Sequence, residues 1–108
     1  MTHYLISFND GAMVFPEEEL PAVAEAAHAV IRQAKDAGVF VFTGGLQNPE
    51  EASVVATDGT VTDGPYPESK EYLGGLVVVD VPSREEALAW AAKVAVACRC
   101  AQEVREFM

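Results

Sequence analysis

Between Thr62 and Gly75 the chain reads Thr-Asp-Gly-Pro-Tyr-Pro-Glu-Ser-Lys-Glu-Tyr-Leu-Gly-Gly, and it is here that groups able to do chemistry crowd together. Asp63, Glu68 and Glu71 are acceptors, Lys70 is the one cation among them, and Tyr66 and Tyr72 add hydroxyls. A carboxylate beside a like charge or an apolar wall has its pKa raised and can act as a general acid or base. A lysine among carboxylates does the opposite, holding them ionised or gripping an anionic substrate. The same residues also describe a surface loop pinned by its own salt bridge and an Asx turn. Gly64 precedes Pro65, which disfavours α geometry at Gly64. The turn therefore aims Asp63 and Tyr66 instead of extending a helix.

Other reactive side chains stand apart from this loop. His28 falls on the flank of a helical stripe, about 80–90° from its centre at 100° per residue. It is either a partly exposed helix residue or a base facing a cleft. His3 opens the first strand as a surface residue. Cys98 and Cys100 are two apart, the wrong spacing for a Cys-x-x-Cys redox or zinc pair. They read as plain reduced thiols near a helix end, with a reactive or metal-binding role as the alternative. The sequence holds no His/Cys cluster with zinc spacing, no P-loop and no Gly-x-Gly-x-x-Gly. It also lacks a Ser-His-Asp order with a nucleophile elbow. Neither a metal nor a cofactor is expected.

The elements that must position these groups follow from periodicity. His3 to Asn9 reads as a strand, Tyr4, Ile6 and Phe8 alternating with His3, Leu5 and Ser7; Asp10-Gly11 ends it. A helix follows, its face formed by Leu20, Ala24, Ala27, Ile31 and Ala34. Pro21 suits its first turn, Glu17 to Glu19 its positive end, and Gly38 its stop. Val39 to Thr43 is a second strand, broken by Gly44-Gly45. Ser53 to Thr57 and Thr60 to Thr62, joined by Asp58-Gly59, form a hairpin. Leu76 to Val81 is the next strand. Ser83 with Glu86 makes a capping box for a second helix that buries Ala87, Trp90, Ala91, Val94 and Cys98. Ala101 to Phe107 is a last strand. The order β-α-β-(β-hairpin)-α-β is a split βαβ arrangement of the ferredoxin-like kind. It predicts an α+β fold with two helices on one face of an antiparallel sheet.

The 108 residues fit a single domain spanning 1–108, large enough to bury roughly two-thirds of its unfolded surface. Seven basic and seventeen acidic residues give a net charge of −10. That charge repels phosphate backbones and argues against direct nucleic-acid binding. Apolar runs all fall short of the ~20 residues of a membrane span. With no charged-then-apolar leader at the N-terminus, a soluble cytoplasmic protein is expected.

The strands carry apolar residues on both sides. Val77, Val79 and Val81 oppose Leu76 and Val78; Val39 and Val41 oppose Phe40 and Phe42; Tyr4, Ile6 and Phe8 oppose Leu5. A half-solvated strand should instead alternate apolar with polar. Two helices cover only one face, and the other would expose more than the few hundred Å² a soluble monomer tolerates. Removing ~500 Å² of it from water is on the order of 12 kcal/mol before association costs. A homodimer with the sheets face to face about a two-fold axis is expected. The alternative is that the long hairpin loops fold over that face.

The chain resembles the YCII-related domain family in its Asp-Gly-Pro-Phe branch. The resemblance is carried by Thr62-Asp63-Gly64-Pro65-Tyr66, Glu68, Lys70-Glu71 and Leu73-Gly74-Gly75. It continues through Val79-Asp80-Val81, Glu86-Ala87, Trp90-Ala91 and Glu103-Val104-Arg105, covering most of the chain from Phe40 onward. Tyr66 stands where the family usually has Phe, Arg105-Glu106-Phe107 replaces an Arg-Pro, and Cys98-Arg99-Cys100 replaces a Gly-containing turn. The resemblance implies a dimeric α+β barrel. A dehydrochlorinase is known among distant relatives, a related branch pairs a helix His with an Asp, and some members accompany sigma factors. Two readings follow. In one, the chain holds a pocket for a small organic molecule, with cofactor-free proton transfer or elimination. Asp63 is then base or orienter, Lys70 the stabiliser, Glu71 its partner, and Tyr66, Glu68, Arg105 and His28 bind the ligand. In the other it is a non-catalytic regulatory or interaction module that uses the same loop for docking.

Overall fold

The computed structural model describes every residue except Glu68 and Lys70. Among the described residues the strands are β1 (Thr2–Asn9), β2 (Phe40–Gly45), β3 (Ser53–Val55), β4 (Val61–Asp63), β5 (Leu73–Val81) and β6 (Glu103–Glu106). The helices are α1 (Leu20–Asp36) and α2 (Arg84–Cys98). The main sheet has the order β2-β5-β1-β6, antiparallel throughout, while β3 and β4 form a separate two-stranded sheet. This is the expected ferredoxin-like α+β arrangement, with the hairpin as an inserted arm.

Local chemistry sets the helix ends. At the end of α1, Gly38 takes φ 75°, and its N–H and that of Val39 donate to the carbonyls of Lys35 and Ala34. That is a Schellman closure, which favours glycine because it carries no Cβ penalty there. α2 starts on Ser83, whose Oγ accepts from the Glu86 N–H at 3.2 Å. It ends on Arg99 in the left-handed region, φ 59°. Arg99 also donates to Glu19 at 2.6 Å, tying the end of α2 to the start of α1.

Both helices pack on one face. Tyr4, Ile6, Val77, Val79 and Val81 meet Val30, Ala34, Ala87, Ala91, Val94, Ala97 and Cys98 in a single core. The buried line of α1 is rotated from the expected one. Val23, Val30 and Ala34 are buried, whereas Leu20 is 52% exposed. α1 packs on α2 as well as on the sheet, which draws Val23 and Val30 inward and leaves Leu20 at the helix start uncovered. Trp90, expected in the α2 stripe, is only half-buried, with the Lys93 ammonium 4.7 Å above its ring. No helix among the described residues is long and apolar enough to cross a membrane.

Two strands differ from expectation. β2 does not stop at Gly44-Gly45: these residues pair with Leu76 and Gly75, and β5 itself begins earlier, at Leu73. Glycine weakens a strand on its own, but here the ladder with β5 holds both, Gly44 opposite Leu76 and Gly45 opposite Gly75. A bulge between Phe40 and Phe42 also breaks the simple alternation of β2. Phe40 sits opposite Val79 and packs on the core, while Phe42 sits opposite Val78 on the far face. There Phe42 is 60% and Val41 44% exposed. Leu5, Leu76 and Val78, on the far side of β1 and β5, are half-buried.

Candidate functional site

Asp63 closes β4 opposite Ser53 and is exposed. Gly64, at φ 87°, donates its N–H to the Ala52 carbonyl at 2.7 Å and turns the chain out of the hairpin. Tyr66 follows with 62% of its surface exposed. The loop then folds on its own backbone, the Tyr72 hydroxyl lying 3.2 Å from the Tyr66 carbonyl and 3.1 Å from that of Ser69. Its far end is fastened to the end of β1. The Asp10 N–H donates to the Tyr72 carbonyl at 2.7 Å, and the Asn9 amide donates to Glu71 Oε2 at 3.0 Å. Glu68 and Lys70, both named as site residues from the sequence, lie outside the described residues. Arg105 sits on β6 opposite Leu5, on the face away from the helices, and His28 is exposed on α1. Among the described residues, no side-chain hydrogen bond or ion pair joins Asp63, Glu71, Arg105 and His28 to one another.

A different region holds a space of its own. Between the layers lies a pocket of about 210 Å³, half-open to solvent. The ends of three strands supply Phe8, Thr43, Gly44, Gly45, Gly75 and Val77; the helices supply Ala27, Val30, Ile31, Val94, Ala97 and Cys98. Leu76, Met13 and the polar Gln102 complete the largely apolar wall. The space exists because residues are small where the layers meet: alanines on both helices and glycines in adjoining strands. Phe8 is accommodated by Gly75, where a Cβ would stand 2.6 Å from its Cζ.

The few polar atoms in this wall are mostly committed. Thr43 Oγ1 donates to the Leu76 carbonyl at 2.9 Å. The left-handed turn at Arg99 brings Gln102 back beneath α2, where Nε2 donates to the Cys100 carbonyl at 3.3 Å and lies 3.5 Å from its Sγ. That contact fixes the amide, because the nitrogen must face the carbonyl. Oε1 is then buried with no partner among the described residues. Burial pushes the Cys98 thiol up from its ordinary value, and Cys100 adds to the effect. The Cys100 thiol is also raised by burial, with Gln102 opposing it. Both thiols are free and hold their protons at neutral pH. None of the wall's described residues carries a charge, and Asp63, Tyr66, Glu71, Arg105 and His28 are not among them. Gln102 and the cavity were missed in the sequence. The available signal was the coincidence of Gly44-Gly45, read there as a strand break, with Gly74-Gly75, read as the end of the candidate loop.

The fold and this cavity define a ferredoxin-like α+β protein with an uncharged chamber between its layers. The chain matches the YCII-related domain over residues 1–107 and belongs to that family. No curated protein matches it significantly.

Proposed function

We propose that this protein is a homodimer that binds a small organic molecule in the chamber between helices and sheet. The supporting observation is a half-open, largely apolar pocket of about 210 Å³ between helices and sheet, concave and apolar as ligand sites are. Within the family, the motif Asp63-Gly64-Pro65-Tyr66 supports a reading of the chain as a member of the Asp-Gly-Pro-Phe branch of the dimeric α+β barrels that acts in the cytoplasm. The sheet face away from the helices, with Phe42, Val41, Leu5 and Val78, is the surface on which two copies pair.

Screening neutral and charged aromatic fragments by thermal shift tests the binding reading. Fragments should raise the melting temperature of the protein and lose that effect in Ala27→Leu, which fills the chamber. A library that shifts neither protein removes the reading.

A catalytic version keeps Asp63 as base, Lys70 as electrostatic stabiliser and Glu71 as its partner in cofactor-free proton transfer or elimination. Tyr66, Glu68, Arg105 and His28 would contact substrate. Its link to the chamber is Glu71, hydrogen-bonded to Asn9 beside the wall residue Phe8. The second reading, a regulatory docking module in a sigma-factor setting, is favoured by the exposure of Asp63 and Tyr66. Asp63→Ala decides between these uses of the loop. Turnover lost with ligand affinity intact supports catalysis; partner binding lost alone supports docking.

A further inference from the structure

We infer that the outer face of α2 is a second interface between copies of this chain, where the helix packs antiparallel on its counterpart about a two-fold axis at Ala92. The inference goes beyond the binding reading and is independent of the sheet-face pairing. A helix that is apolar on every side is ordinarily buried on every side, and α2 is apolar on both. Ala87, Ala91, Val94 and Cys98 enter the core. The opposite side carries Glu85, Leu88, Ala89, Ala92 and Val96, with Arg99 on the cap, all exposed. Val96 is 81% and Leu88 42% open to solvent. Counted from Glu85 their offsets are 3, 4, 7, 11 and 14, the spacing of one continuous packing seam.

The order of groups along this seam says what covers it. In an antiparallel pair centred on Ala92, residues equally far before and after the axis meet at the same height. Leu88 then faces the partner's Val96, and Glu85 faces the partner's Arg99, each contact occurring twice. A parallel pair would instead set Glu85 and Arg99 against their own kind, which is repulsive. Among the described residues Glu85 has no ion pair. Arg99 uses Nη1 on Glu19, and a guanidinium with five N–H donors can take a second carboxylate. Area sets the strength. α1 and α2 side by side cover about 25 by 20 Å, so pairing buries on the order of 1,000 Å² in all, below the standard size of a stable interface. The contact is therefore weak, and it joins sheet-face dimers into tetramers only at high concentration.

Sedimentation equilibrium on the full chain at ~0.5 mM, above the ~0.1 mM dissociation constant such an area implies, tests this. Phe42→Asp removes the sheet-face pairing and isolates the helix contact. That variant should be a monomer at micromolar concentration and a dimer at ~0.5 mM. Adding Val96→Glu should return it to a monomer throughout. Glu85→Arg and Arg99→Glu should each weaken the association at least ~tenfold by opposing like charges. Together they should restore it, since the charges are exchanged but still opposed; an indiscriminate apolar patch would show no such rescue. A Phe42→Asp protein that stays monomeric at ~0.5 mM, or a double exchange no better than either single one, overturns the inference. In the wild type the same contact appears as dimer to tetramer, lost in Val96→Glu, so the test stands if Phe42→Asp fails to fold. A wild type that is monomeric at micromolar concentration but dimeric at ~0.5 mM removes the sheet-face reading and supports this one.

Discussion

The ring of Phe8 lies so close to the backbone of Gly75 that a Cβ added there would be 2.6 Å from Cζ and 2.7 Å from Cε1. One residue earlier the obstruction is different in kind. A Cβ on Gly74 would meet Asp10 Cα at 2.9 Å and Asp10 N at 3.0 Å, which are backbone atoms. Both glycines permit close approach, but only one neighbour can swing aside.

That contrast ranks three substitutions. Gly74→Ala should be the worst, by roughly 1–3 kcal/mol, because the backbone at the β1–β5 register shift must move. Gly75→Ala should cost less, and should weaken ligand binding by turning the Phe8 ring into the chamber. Gly45→Ala, with nothing within 4 Å of its Cβ, should stay within about 0.5 kcal/mol of wild type. Denaturant titration and fragment thermal shift measure both effects.

Phe42 tests the assembly. It stands 60% exposed on the face opposite the helices, so Phe42→Asp should barely change the stability of a single copy. Light scattering should report a dimer for the wild type and a monomer for the variant at micromolar concentration. A wild-type monomer at that concentration would refute the pairing.

Ser83 is the local determinant of α2. Ser83→Ala removes the acceptor for the Glu86 N–H and should cost about 1 kcal/mol. For a domain of this size that lowers Tm by about 4–8 °C. Ser83→Asp keeps an acceptor and should recover most of the loss.

Alkaline pH should destabilise the fold. Cys98 is raised from 9.0 by burial and by Cys100, and Tyr4 from 10.0 by burial and by its hydrogen bond to Glu106. Each group keeps its proton in the folded state at a pH where the unfolded chain has lost it. Their stabilisation is whole below the unfolded value and is lost as pH rises through the folded one. Tm should therefore fall between pH 8.5 and 10.5, and fall less in Cys98→Ala. Iodoacetamide at pH 7.5 should label native Cys98 far more slowly than the unfolded chain. Equal labelling rates would contradict its burial.

Much of the fold was legible because its signals are local. Gly38, Ser83 and the alternation of Tyr4 and Ile6 each act within a few residues. The hairpin was visible too, although its loop is longer than a two-residue turn. Ala56 donates to the Thr60 carbonyl at 2.8 Å, and Asp58 accepts from the Thr60 N–H. What escaped depends on partners distant in sequence. The bulge at Val41 and the continuation of β2 through Gly44-Gly45 are set by β5, and the rotated face of α1 by α2. The chamber is least legible of all, since it is made by what Ala27, Ala97 and Gly75 lack. Of the candidate loop, the sequence located Asp63 and Tyr66 on an exposed turn. It also put His28 on the flank of α1 and Arg105 on the last strand, where both are found.

The β3–β4 arm shares no ladder with the main sheet. Its composition can therefore drift without disturbing the interior, and the interior can be retuned without disturbing the arm. Relatives that part company over which macromolecule they meet should differ around Val55 and Val61. Those that differ in the compound they hold should differ around Ala27, Ala97 and Gln102.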